Sequence, residues 1–69
     1  MKKSFLDSLV NLPLDTANKT CAKAGFKTID AQHGTAMVAL AMPNTVILWI
    51  DVRNNTVMLA EAGDPLELD

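Results

Sequence analysis

The sequence predicts a small single-domain α+β fold, one main helix packed on a short mixed β-sheet with an extended loop, and three observations carry that reading. Apolar residues recur at helical spacing from Leu14 to Ala24, residues alternate from Thr45 to Arg53, and Asn54-Asn55 supplies a turn before a return strand. With 69 residues, 49% of them apolar and 20% charged, the chain has the composition of a folded protein and room for one core. A single domain over 1–69 is expected, with a helical segment at 1–11, the core over 12–62 and an acidic tail at 63–69. Phe5, Phe26 and Trp49 are the aromatics, so Leu, Val, Ile, Met and Ala must fill the interior. A domain this small gains from a further source of stability, and self-association is one.

In chain order, Ser4 with Asp7 three residues on reads as a capping pair for a short helix. Phe5, Leu6, Leu9 and Val10 share one side of it, and Asn11 and Pro13 end it. Pro13 suits the first position of a second helix, where its missing N–H is no loss, and Asp15 sits in the positive first turn. Leu14, Ala17, Cys21 and Ala24 make the core-facing stripe, Asp15, Asn18, Lys19 and Lys23 face water, and Gly25 ends the helix. Phe26 to Ala31 follows as a short strand. In the strand from Thr45 to Arg53, Val46, Leu48, Ile50 and Val52 give an apolar face, and Thr45, Ile47, Trp49, Asp51 and Arg53 a mixed opposite face. Thr56 to Glu61 returns as its partner, Gly63-Asp64-Pro65 stops it, and the acidic tail is expected to be loosely held. The uncharged stretch from His33 to Asn44 fits a helix turn, a strand or a loop by pattern alone.

Charge is segregated. Residues 1–27 carry Lys2, Lys3, Lys19, Lys23 and Lys27 against Asp7 and Asp15, residues 61–69 carry Glu61, Asp64, Glu67 and Asp69, and the middle third holds only Asp30, Asp51 and Arg53. The chain as a whole is at −2, so no nucleic-acid partner is expected. The apolar runs 36–42 and 46–50 fall well short of the ~20 residues a membrane span needs, and no membrane association is expected. Met1-Lys2-Lys3 mimics a signal peptide, but Asp7 and Ser8 interrupt the apolar stretch behind it, and the reading is cytoplasmic. A lone Cys21 closes no internal disulfide and makes no zinc site with only His33 for company, so neither metal nor cofactor is expected. Ser4 and Ser8 lie far along the chain from His33, and the glycines at 25, 34 and 63 are scattered, so the sequence offers no nucleophile–base–acid set, no phosphate-cradling loop and no expected enzyme activity.

Taken together, LPLDTA at 12–17, AGF at 24–26, GT at 34–35 and a strand ending in Asp51 make residues 9–60 resemble the potato inhibitor I family of serine protease inhibitors. The resemblance implies an extended loop between two parallel neighbouring strands that enters a protease as a slowly cleaved pseudo-substrate. Carried over, the loop is Gly34 to Asn44, its contact is Met37, Val38, Ala39, Leu40, Ala41 and Met42, and the scissile bond joins Ala39 to Leu40. Ala39 would suit a protease that prefers a small side chain. The arginines that brace the family's loop are replaced here by Met42, Thr45 and Ile47.

The expected function is therefore that of a non-catalytic binding protein that blocks a protein partner, a protease among the options, with Ile47 and Trp49 as loop support or as an interface with a second copy. A second reading, from another class, is a homo-oligomer that sequesters a small anionic ligand through Lys19, Lys23, His33 or Arg53. In either case the short chain reads as an accessory of a phage or mobile element acting against a host factor.

Overall fold

Two helices and a three-stranded sheet build the fold in the order α1 (Lys3–Leu9), α2 (Leu14–Lys23), β1 (Lys27–Gln32), β2 (Thr45–Asp51) and β3 (Thr56–Ala62), closed by a 3₁₀ turn at Pro65–Glu67. The computed structural model describes residues 1–32 and 42–68. This is the small α+β domain the periodicities predict.

Helix α1 begins one residue before Ser4, with Lys2 at its N-cap and no side-chain cap, so the Ser4–Asp7 capping pair does not form. Leu6 and Leu9 are buried, and Phe5 stacks obliquely on Phe26 with ring centroids 5.5 Å apart. Asn11 turns the chain at φ 71, a left-handed conformation that asparagine tolerates. The next residues then join the sheet edge, the Asn11 N–H donating to Val57 O (2.8 Å) and the Val57 N–H to Leu12 O (2.9 Å).

Pro13 is the N-cap of α2 rather than its first residue, Asp15 lies in the first turn and Lys23 in the last, matching the helix dipole at both ends. Ala17 and Cys21 are fully buried, and Leu14 is partly so. Ala24, placed on the same stripe by spacing, is exposed because it is the C-cap and the helix has ended. Gly25 follows at φ 87, its N–H bonds Ala22 O (3.1 Å), and the Phe26 N–H bonds Cys21 O (2.9 Å). That pair of bonds is a Schellman stop, and it needs the positive φ that glycine adopts without strain.

The sheet order is β1-β2-β3, β1 parallel to β2 and β3 antiparallel to it. Val46, Leu48 and Ile50 are buried as alternation predicts, facing Ala62, Ala60 and Val57 of β3. Helices α1 and α2 cover this face, and the core is Leu6, Leu9, Ala17, Cys21, Val46, Leu48, Val57 and Ala60. The Thr28 hydroxyl donates to Asn18 Oδ1 (2.8 Å), tying β1 to α2. Val52 departs from the predicted face and is 66% exposed. The reason is local: the Arg53 N–H (3.0 Å) and Asn54 Nδ2 (3.2 Å) donate to the Asp51 carboxylate, which ends the strand at Asp51 and swings Val52 into the turn.

The expected loose tail is instead tied down as far as Leu68. Asp64 caps the 3₁₀ turn by accepting the Leu66 N–H (3.0 Å), Glu67 O accepts from the Met1 nitrogen (2.7 Å), and the Glu67 carboxylate accepts the Asn44 N–H (3.0 Å). Among the described residues no helix is long and apolar enough to cross a membrane.

Candidate functional site

A parallel pair of neighbouring strands cannot be joined by a hairpin, because the chain must travel back along the strand before it re-enters the sheet. Here Lys27 lies beside Thr45 and Gln32 beside Ile50, so the connection over residues 33–44 leaves one end of the sheet and returns at the other. At about 3.3 Å per residue those ends are ~17 Å apart, a distance that twelve residues are long enough to span. His33 and Met37, Val38, Ala39, Leu40 and Ala41 of the expected contact lie outside the described residues.

Met42, the last residue of that contact, is half-buried, and its N–H donates to Gly63 O (3.1 Å). Pro43 and Asn44 turn the chain into β2, with Asn44 left-handed at φ 54 and its carbonyl accepting the Lys27 N–H (2.8 Å). The Gly63 N–H donates to Thr45 O (2.7 Å), and the Thr45 hydroxyl to Pro43 O (3.0 Å). Thr45, assigned by alternation to the mixed face, is only 5% exposed because these bonds press it against Gly63.

Ile47 and Trp49 lie on the sheet face away from the helices, both half-buried. Ile47 sits between Ile29 and Glu61, and Trp49 between Ala31 and Leu59. The Trp49 Nε1–H is buried and has no hydrogen-bond partner among the described residues. Between Trp49 and Ile50 the pairing slips, so that Met58 is an extra residue in β3 and two successive side chains, Met58 (47% exposed) and Leu59 (49% exposed), project outward. Among the described residues, Trp49, Ile50, Met58, Leu59 and Glu61 line a cavity of about 470 Å³, mostly apolar with the Glu61 carboxylate at its edge. Sequence reading missed Met58, Leu59 and Glu61. The bulge that turns two neighbours outward breaks the period of two, and no turn residue marks it.

Of the basic candidates, Lys19, Lys23 and Arg53 are described, and Arg53 stands apart from the two lysines. Lys19 and Lys23 stand exposed on α2, and Arg53 is exposed in the β2–β3 turn. The Leu14 N–H bonds Asn55 O (3.0 Å), which places the start of α2 beside that turn and carries Lys23 about 14 Å along the helix away from it. Cys21 is buried on the core side, where desolvation pushes its thiol above the ordinary value and keeps it protonated. Among the described residues no three His, Cys, Asp or Glu side chains gather as a metal site.

Comparison with protein-family models, with curated proteins and with solved structures finds no match.

Proposed function

We propose that the chain is a non-catalytic binding protein, built like a potato inhibitor I domain, that blocks a protein partner with the uncharged residues 36–42. The observation that carries this reading is the frame. A parallel β1–β2 pair supplies two fixed ends for residues 33–44, and backbone bonds fasten the returning end at Met42 and Thr45. Such a frame favours binding because ordering at the fixed ends precedes the encounter and subtracts less from affinity. The partner class is a serine protease with a small primary pocket, matched to Ala39, and the chain acts in the cytoplasm as an accessory of a phage or mobile element.

The test is a titration of an elastase-class serine protease with the purified chain, alongside Ala39→Asp combined with Leu40→Asp. Inhibition by the parent and its loss in the double variant support the reading. Equal capture by both, or none by either, removes it.

A second reading is favoured by one observation, the pair of outward apolar residues Met58 and Leu59 beside the cavity at Trp49. Copies of the chain joined through this face would form a homo-oligomer that holds a small ligand at the junction. Native mass spectrometry separates the two, since a monomer without adduct leaves the inhibitor reading standing and a defined oligomer with added mass replaces it.

A further inference from the structure

We infer that the C-terminal turn is a clamp that presets the returning leg of the β1–β2 connection, with Glu67 as its positioning residue. The inference deepens the inhibitor reading, on which the functional value of the clamp rests. Among the described residues the leg from Met42 to Thr45 has little else to fix it: Met42 is half-buried, Pro43 and Asn44 are exposed, and only Thr45 is enclosed. Yet its backbone groups are largely accounted for. Met42 N–H goes to Gly63 O, Asn44 N–H to the Glu67 carboxylate, Thr45 O to the Gly63 N–H, Pro43 O to the Thr45 hydroxyl and Asn44 O to the Lys27 N–H. Three of the five partners come from Gly63 and Glu67.

Both halves of the clamp are themselves rigidly placed. A Cβ on residue 63 would stand 2.8 Å from Met42 O, 3.0 Å from Thr45 Cβ and 3.1 Å from Thr45 O, so only glycine permits the approach. Glu67 projects from a turn in which its own N–H bonds Asp64 O (3.0 Å), its carbonyl accepts from Met1 and Asp64 caps the first N–H. Its carboxylate therefore meets Asn44 from a fixed origin, and a charged acceptor makes the stronger kind of hydrogen bond. The leg reaches Met42 already shaped, on the strength of residues more than twenty positions further along.

Amide hydrogen exchange by NMR on the full free chain tests this. Glu67→Ala should speed exchange at Asn44 roughly tenfold while Leu48 and Val57 stay within about twofold, and Glu67→Gln, which keeps an acceptor, should recover most of the protection. Gly63→Ala should speed exchange at Met42. Unchanged Asn44 exchange in Glu67→Ala, or a rise shared equally by Leu48, overturns the inference. No partner is present in the measurement, so it fails or stands separately from the protease titration.

Discussion

Leu48 and Val52 occupy equivalent places in the alternation of the central strand, and the structure separates them completely. Leu48 is 0% exposed and packed within the core of Leu9, Ala17, Cys21 and Ala60; Val52 is 66% exposed in the turn. Replacing Leu48 by alanine removes three carbons from a site whose neighbours Ala17, Ala60 and Cys21 are too short to reach into the void. The lost transfer energy and the retained cavity together cost roughly 3–4 kcal/mol. A 69-residue domain has only about 3–10 kcal/mol in total. With a urea slope near 1 kcal/mol/M, the midpoint of Leu48→Ala should drop by about 3 M, enough to leave a large unfolded fraction without denaturant. Val52→Ala should shift stability by less than about 0.5 kcal/mol. Urea unfolding followed by Trp49 fluorescence and far-ultraviolet circular dichroism measures both. Equal losses from the two variants, or less than about 1 kcal/mol from Leu48→Ala, would refute the reasoning.

Cys21 should resist a thiol reagent in the native chain and react within seconds in urea. Because burial raises its folded pKa, the stability tied to its protonated form is whole below the unfolded thiol's pKa of about 8.5 and falls as pH climbs beyond it; unfolding curves at rising alkaline pH read this against Cys21→Ala. Asn44 holds a left-handed φ of 54, so Asn44→Val should cost about 1–2 kcal/mol while Asn44→Gly stays within about 0.5 kcal/mol, as urea midpoints would show. Trp49→Phe removes ring area together with a buried N–H that has no partner among the described residues, so its net cost in thermal unfolding should stay below about 1 kcal/mol, against several for Trp49→Ala.

The elements that repeat locally were legible in the sequence. The α2 stripe as far as Cys21, the Gly25 stop and the run Val46, Leu48, Ile50 each express a period or a turn residue, and each appears where that signal puts it. What escaped has no period. The Asp51 carboxylate captures the N–H of Arg53 and cuts the strand short before Val52, and the Met58 bulge shifts the parity of β3 midway. The tail looked loose because its anchors, Asn44 for Glu67 and Met42 and Thr45 for Gly63, lie far away in sequence and draw on backbone groups that every residue possesses. Of the expected site, the sequence placed Ile47 and Trp49 together on one face of one strand, where they lie. Of the basic candidates, Lys19 and Lys23 stand on α2 and Arg53 in the β2–β3 turn.

The parallel pairing of β1 and β2 bears on how such a chain could change over generations. Closing a longer connection is cheap, about 0.6 kcal/mol for each doubling of length, whereas the register from Lys27–Thr45 to Gln32–Ile50 is locked by which side chains are buried. By chain entropy alone, doubling the connection between residue 33 and residue 41 therefore costs less than losing the Leu48 side chain. On the inhibitor reading proposed above, a lineage built on this frame would exchange one target for another within these nine residues, while drift in the remainder stays constrained by the core.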